Sequence, residues 1–168
     1  MHEVDWSLWT GWHALIALDW SIVPKGPGAY VIAASQPIHR AVDTDLDGYL
    51  DIGESGNLAN RIRSFQRCVT QRGTKGHMAG WRFAFFRFER QFPYSELRVR
   101  WRPTTDKQEA YAAEGQVLLG YLRRHGELPP LNYKFNWQMF ELHGWDILDS
   151  EAVPEAEPSA PPICGSIN

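Results

Sequence analysis

Two short apolar segments separated by a turn constrain this chain more than anything else in it. Residues 29–34 (AYVIAA) carry no charge, and residues 49–53 (YLDIG) follow after Asp43-Thr44-Asp45-Leu46-Asp47-Gly48. Pro24-Lys25-Gly26-Pro27-Gly28 breaks any helix just before the first run, so its apolar and β-branched residues read as a buried strand. Aspartate and glycine between the runs are turn chemistry, which makes the second run the return strand of a hairpin-like pair. A buried strand needs covering layers, and the remaining sequence must supply them.

Residues 5–20 place Trp6, Trp9, Trp12 and Ile16 at helical spacing with Asp5 as a cap, so an amphipathic helix is expected there. Asn57 is placed to cap a helix striped by Leu58, Ile62, Phe65 and Val69. Residues 71–80 are polar and glycine-rich, hence a loop, and the aromatic run at 81–88 (WRFAFFRF) reads as a third strand. Residues 96–101 alternate Leu97, Val99 and Trp101 with Arg98, Arg100 and Arg102, a fourth strand with arginines on one face. A capping box at 105–108 starts a helix running to about Arg124, with Glu114 inside its stripe of Ala110, Ala113, Val117, Leu118 and Tyr121. Gly126 ends that helix. The expected architecture is α/β in the α+β sense, a small and mainly antiparallel sheet of three or four strands flanked by helices. Residues 1–26 form a tryptophan-rich helical arm, 27–148 the domain, and 149–168 an acidic, proline-rich disordered tail.

Charge is unevenly distributed. Residues 1–60 hold eight acids against Lys25 and Arg40, residues 135–168 hold six acids and no lysine or arginine, and residues 61–102 hold eleven bases against Glu89 and Glu96. Ten of those eleven are arginine, whose planar fork suits phosphate oxygens, so a polyanionic partner is expected. No apolar run reaches the ~18–20 residues of a membrane span. Glu3 and Asp5 stand where a secretory signal needs positive charge, which points to the cytoplasm. Cys68 and Cys164 lie too far apart in sequence to suggest a zinc cluster or a disulfide framework.

Several fragments then fall in a telling order: Gly28-Ala29-Tyr30 on the first strand, Asp51-Ile52-Gly53 on the second, and Asn57 and Arg61 on the following helix. Glu114 stands on the later helix, and Pro129-Pro130-Leu131-Asn132 follows it. In this order the chain resembles the GIY-YIG nuclease family over residues 27–132. The resemblance implies metal-dependent hydrolysis of a phosphodiester, with Arg61 as phosphate ligand and Glu114 holding one Mg²⁺ or Mn²⁺. Tyr30 would orient or deprotonate the attacking water, with Gly28, Gly53, Asn57 and Asn132 as framework or substrate contacts. Such a site needs these residue types: a carboxylate holds a hard cation and a fixed guanidinium offsets charge developing on the phosphorane.

Asp51 departs from the family, which has a second tyrosine there. Asp51 could serve as base or second metal ligand, or Tyr49, two residues earlier and expected on the same strand face, could replace the tyrosine. Otherwise the site could bind without cutting. His77, in the loop after the first helix, is the nearby imidazole that could join the site. Residues 43–54 also match an EF-hand calcium loop, with Asp43, Asp45, Asp47, Gly48 and Glu54 in register, but the flanks read as strands rather than helices. The expected function is a divalent-metal-dependent endonuclease acting on DNA. An inactive nucleic-acid-binding module on the same fold comes second, and a calcium-binding protein last, so Ca²⁺ is not expected.

Overall fold

The computed structural model describes residues 4–71 and 74–135. The architecture is α+β. A four-stranded antiparallel sheet runs in the order β1 (His13–Ala14), β6 (Leu97–Pro103), β2 (Gly28–Ala34), β5 (Tyr49–Ser55), and a second sheet pairs β3 (Ile38–His39) with β4 (Thr44–Asp45). All seven residues of β2 are buried, as an uncharged run between two neighbours must be. Tyr30, Ile32 and Ala34 face α1 (Leu58–Thr70) and α2 (Met78–Phe85), whereas Ala29, Val31 and Ala33 face α3 (Lys107–His125). Each layer is thus built on alternate residues of one strand.

The hairpin-like pair of β2 and β5 forms as expected, and so do the α1 cap on Asn57, the strand after residue 96 and the left-handed Gly126 closing α3. The α3 cap falls on Asp106, one residue into the expected box, and its side chain accepts from Glu109 N.

Two expected elements are corrected. Residues 81–88 are not a strand: Met78–Phe85 is helical, with Ala79, Gly80 and Phe83 turned inward. An unbroken aromatic run has no period to separate helix from strand, and here close packing decides it. A Cβ on Gly80 would sit 2.8 Å from Cys68 Cβ, so α2 lies almost against α1. Residues 5–20 do not form one helix. They contain short 3-10 turns at Trp6–Leu8 and Leu15–Ala17 and the edge strand β1, and Asp5 caps only the first turn. The tryptophans are held instead by β6: Arg100 lies over Trp6 at 4.3 Å and Trp12 at 5.3 Å, and Arg98 over Trp12 at 4.5 Å. Three- and four-residue spacing therefore records an aromatic cover over arginines rather than a helical stripe.

The register of β5 contains a bulge. Ile32 pairs with Asp51 and Ala33 with Tyr49, leaving Leu50 as the extra residue. Tyr49 and Asp51 consequently point to opposite faces, contrary to simple alternation. Among the described residues no helix is long and apolar enough to cross a membrane.

Candidate active site

A cleft of about 450 Å³ opens beside β5, the outer strand of the main sheet, where helices from both layers meet. Tyr30 from β2, Asp51, Gly53 and Glu54 from β5, Arg61 from α1, His77 at the head of α2, Glu114 from α3 and Asn132 all line it. These residues span more than 100 positions of sequence, and the sheet register is what gathers them.

A hydrogen-bonded chain occupies its floor. Tyr30 Oη donates to Asp51 Oδ2 at 3.0 Å and lies 3.0 Å from His77 Nε2. His77 also caps α2, its Nδ1 accepting from Gly80 N at 3.3 Å. With Nδ1 used as acceptor, the ring proton sits on Nε2, so the polarity runs His77 Nε2–H to Tyr30 Oη–H to Asp51. Burial, and after it the Arg61 charge, push the His77 pKa down to about 3, which keeps the ring neutral. Burial and the neighbouring Asp51 charge raise the Tyr30 phenol well above its ordinary value. Burial raises Asp51 to about 7, opposed by the Tyr30 hydrogen bond and by Arg61 and Arg82. The carboxylate, not the phenol, is therefore the group that changes protonation near neutrality.

Glycine makes the chain possible. A Cβ on Gly53 would lie 2.3 Å from Tyr30 Oη, so any side chain there would displace the hydroxyl. Gly28 is equally confined, by Arg102 O at 2.4 Å and Leu58 Cδ1 at 2.5 Å, but it supports the strand junction rather than lining the cleft. Asn132 Oδ1 accepts from Ile52 N at 3.0 Å and its Nδ2 donates to Ile52 O at 2.8 Å, extending the ladder of β5 by one side chain. Asn57 caps α1 by accepting from Asn60 N and stays outside the cleft.

Two sequence expectations do not reach the site. The bulge turns Tyr49 into the α3 layer, where it stacks on Tyr121 with centroids 5.9 Å apart and meets Trp6 and Trp12 edge-on, so it does not replace the missing tyrosine. The 43–54 segment is strand, turn and strand. Asp45 accepts from the backbone N of Asp47, Gly48 and Tyr49 and from Tyr121 Oη, Asp43 pairs with His125 Nδ1 at 2.6 Å, and Glu54 lies in the cleft instead of closing a loop. Sequence reasoning missed Tyr111 and Lys134, which also line the cleft; Lys134 follows Asn132 by two residues.

The arginine-rich middle is only partly available. Arg98 and Arg100 lie under the tryptophans, Arg102 pairs with Glu109 at 2.9 Å, and Arg82 donates to Leu131 O at 2.9 Å. In the cleft, Arg61 Nε and Glu54 Oε2 are buried without a hydrogen-bond partner. Among the described residues no three His, Cys, Asp or Glu side chains group as a metal site. Mg²⁺ does not need such a group, since it keeps several waters and takes one or two carboxylates besides substrate oxygens. Glu114 and Glu54, whose Oε2 is orphaned, meet that smaller requirement.

Fold and cleft together define an α+β domain with a polar, partly buried cleft lined by phenol, carboxylate, guanidinium and imidazole side chains. Comparison with protein-family models, with curated proteins and with solved structures gives no match.

Proposed function

We propose that this chain is a divalent-metal-dependent endonuclease that hydrolyses DNA phosphodiester bonds, as a variant of the GIY-YIG nucleases. The observation that carries this reading is the convergence of Tyr30, Asp51, Arg61, His77 and Glu114 on one cleft from five separate elements. In this mechanism Asp51 takes the proton of the attacking water. Tyr30 orients it by holding Oδ2, and neutral His77 fixes the phenol from behind. Arg61 at the first turn of α1 binds the phosphate and offsets the charge that builds as the water oxygen bonds to phosphorus and the bond to the departing sugar oxygen breaks, that oxygen taking its proton from solvent. Glu114, with Glu54 lining the same cleft, would hold Mg²⁺ or Mn²⁺, which would polarise the phosphoryl oxygen when bound. Asp51 thus takes over the deprotonation for which a raised phenol is poorly matched.

The test incubates the purified protein with labelled single-stranded, duplex and branched DNA, with Mg²⁺ or Mn²⁺ and with chelator. Metal-dependent cutting that falls at least ~100-fold in both Arg61→Ala and Glu114→Ala supports the assignment. Cutting that survives both changes sinks it. A second reading, a nucleic-acid-binding module without catalysis, is favoured by Asp51 standing where the nuclease family has its second tyrosine and by the arginine-rich middle of the sequence. It predicts salt-sensitive binding and no product under any metal.

A further inference from the structure

The outward face of α2 is aromatic and has no role in the chemistry above. Met78, Trp81 and Phe85 lie at helical spacing on it, and Phe85 and the adjacent Phe86 are 62% and 59% exposed. Trp81 and Phe85 are stacked, with centroids 4.8 Å apart and planes 20° from parallel, and Phe86 meets Phe85 edge-on at 5.1 Å. Met78 lines the cleft, so the ridge begins where the proposed site ends. From Met78 to Phe85 the helix rises about 10 Å, roughly three nucleotides of a stacked strand.

Charge indicates what covers this ridge. Residues 75–90 contain Lys75, Arg82, Arg87 and Arg90 against one acid, Glu89, whose Oε2 is buried. Lys75 is exposed before the helix, and Arg87 and Arg90 are exposed beyond its end. Arg87 is the sole non-glycine residue with positive φ among the described residues, at φ 61°, where a helix end ordinarily places glycine. An arginine is kept there at a conformational cost. Exposed ring faces flanked by cations match the stacking-plus-phosphate pattern by which proteins hold unpaired bases.

We infer that the outer face of α2 is a stacking platform for unpaired nucleotides of the DNA strand leaving the cleft. The inference rests on the nuclease reading and narrows its substrate class to DNA with single-stranded character. The full chain, in chelator so that nothing is cut, is titrated into a labelled 12-nucleotide oligothymidine and into a blunt duplex of the same length. Phe85→Ala should weaken oligothymidine binding about tenfold or more and leave duplex binding within about twofold. Arg87→Gly should lower the salt slope of strand binding by about 0.7 without lowering the melting temperature, since glycine is at ease at that φ. Strand binding unchanged in Phe85→Ala, or strand and duplex affinity lost equally, overturns the platform. Absence of strand binding by the parent chain does the same. Strand binding through α2 with no cutting under any metal overturns the nuclease reading alone, whereas Arg61-dependent cutting with Phe85 immaterial overturns the platform alone.

Discussion

Among the described residues two buried tyrosines each donate to an aspartate, and the pairs differ in how completely the carboxylate is satisfied. Tyr121 donates to Asp45 at 3.1 Å, and three backbone N–H groups of the turn donate to the same side chain. Tyr30 donates to Asp51, for which this hydroxyl is the one side-chain hydrogen bond found among the described residues, and Asp51 borders a cleft. Four donors leave Asp45 little capacity to accept anything further, so it holds a turn. A single donor, full burial and an open side leave Asp51 able to accept a proton. In the proposed reading, chemistry is distinguished from architecture by unspent hydrogen-bonding capacity, not by residue type.

The sharpest way to break this contrast is to neutralise each carboxylate in turn. Asp51→Asn should cut the single-turnover cleavage rate about 10²–10⁴-fold, and Asp45→Asn should leave the rate per folded molecule unchanged; equal losses would erase the distinction. Acid titration of stability comes next. His77 has a depressed pKa, so its contribution is present above about 6.5 and is lost as pH falls towards 3, a change on the order of 5 kcal/mol. Asp51 is raised to about 7 and works oppositely, its contribution being full below about 4 and lost as pH rises through 7. Urea midpoints should therefore show His77→Gln flattening the acid limb and Asp51→Asn gaining on the parent at pH 8. Asp45→Ala, which strips four donors of their acceptor, should cost about 3 kcal/mol at pH 7, and a loss under 1 kcal/mol would show that the turn holds itself. The smallest effect belongs to Gly53→Ala, about 1–3 kcal/mol with Tyr30 displaced. A cleavage rate unaffected by that displacement would remove Tyr30 from the mechanism.

Much of the fold could be read because its signals are local. The apolar run at β2, the Asp-Gly turn, the Asn57 cap and Gly126 each act within a few residues, and each fell where expected. Regions decided by distant partners could not be read that way. The tryptophans of residues 6–12 follow arginines about 90 positions later, and α2 is helical because Gly80 lets it lie against Cys68. At the site, residue types and order pointed to Tyr30, Arg61 and Glu114. Nothing local revealed that His77, in a glycine-rich loop, would be buried behind Tyr30, because that contact joins residues 47 apart.

The extra residue in β5 carries a consequence for any comparison based on spacing. Along a strand, parity assigns the side, and Leu50 flips that parity between Tyr49 and Asp51. Counting residues therefore places the tyrosine in the cleft, while the backbone places it in the opposite layer. Two chains could keep every side chain of this site and still disagree by one in a linear pattern, or keep the pattern and lose the site. Removing Leu50 would erase the bulge and leave Tyr49 directly before Asp51, so plain alternation would then hold the tyrosine in the opposite layer without any irregularity of the strand.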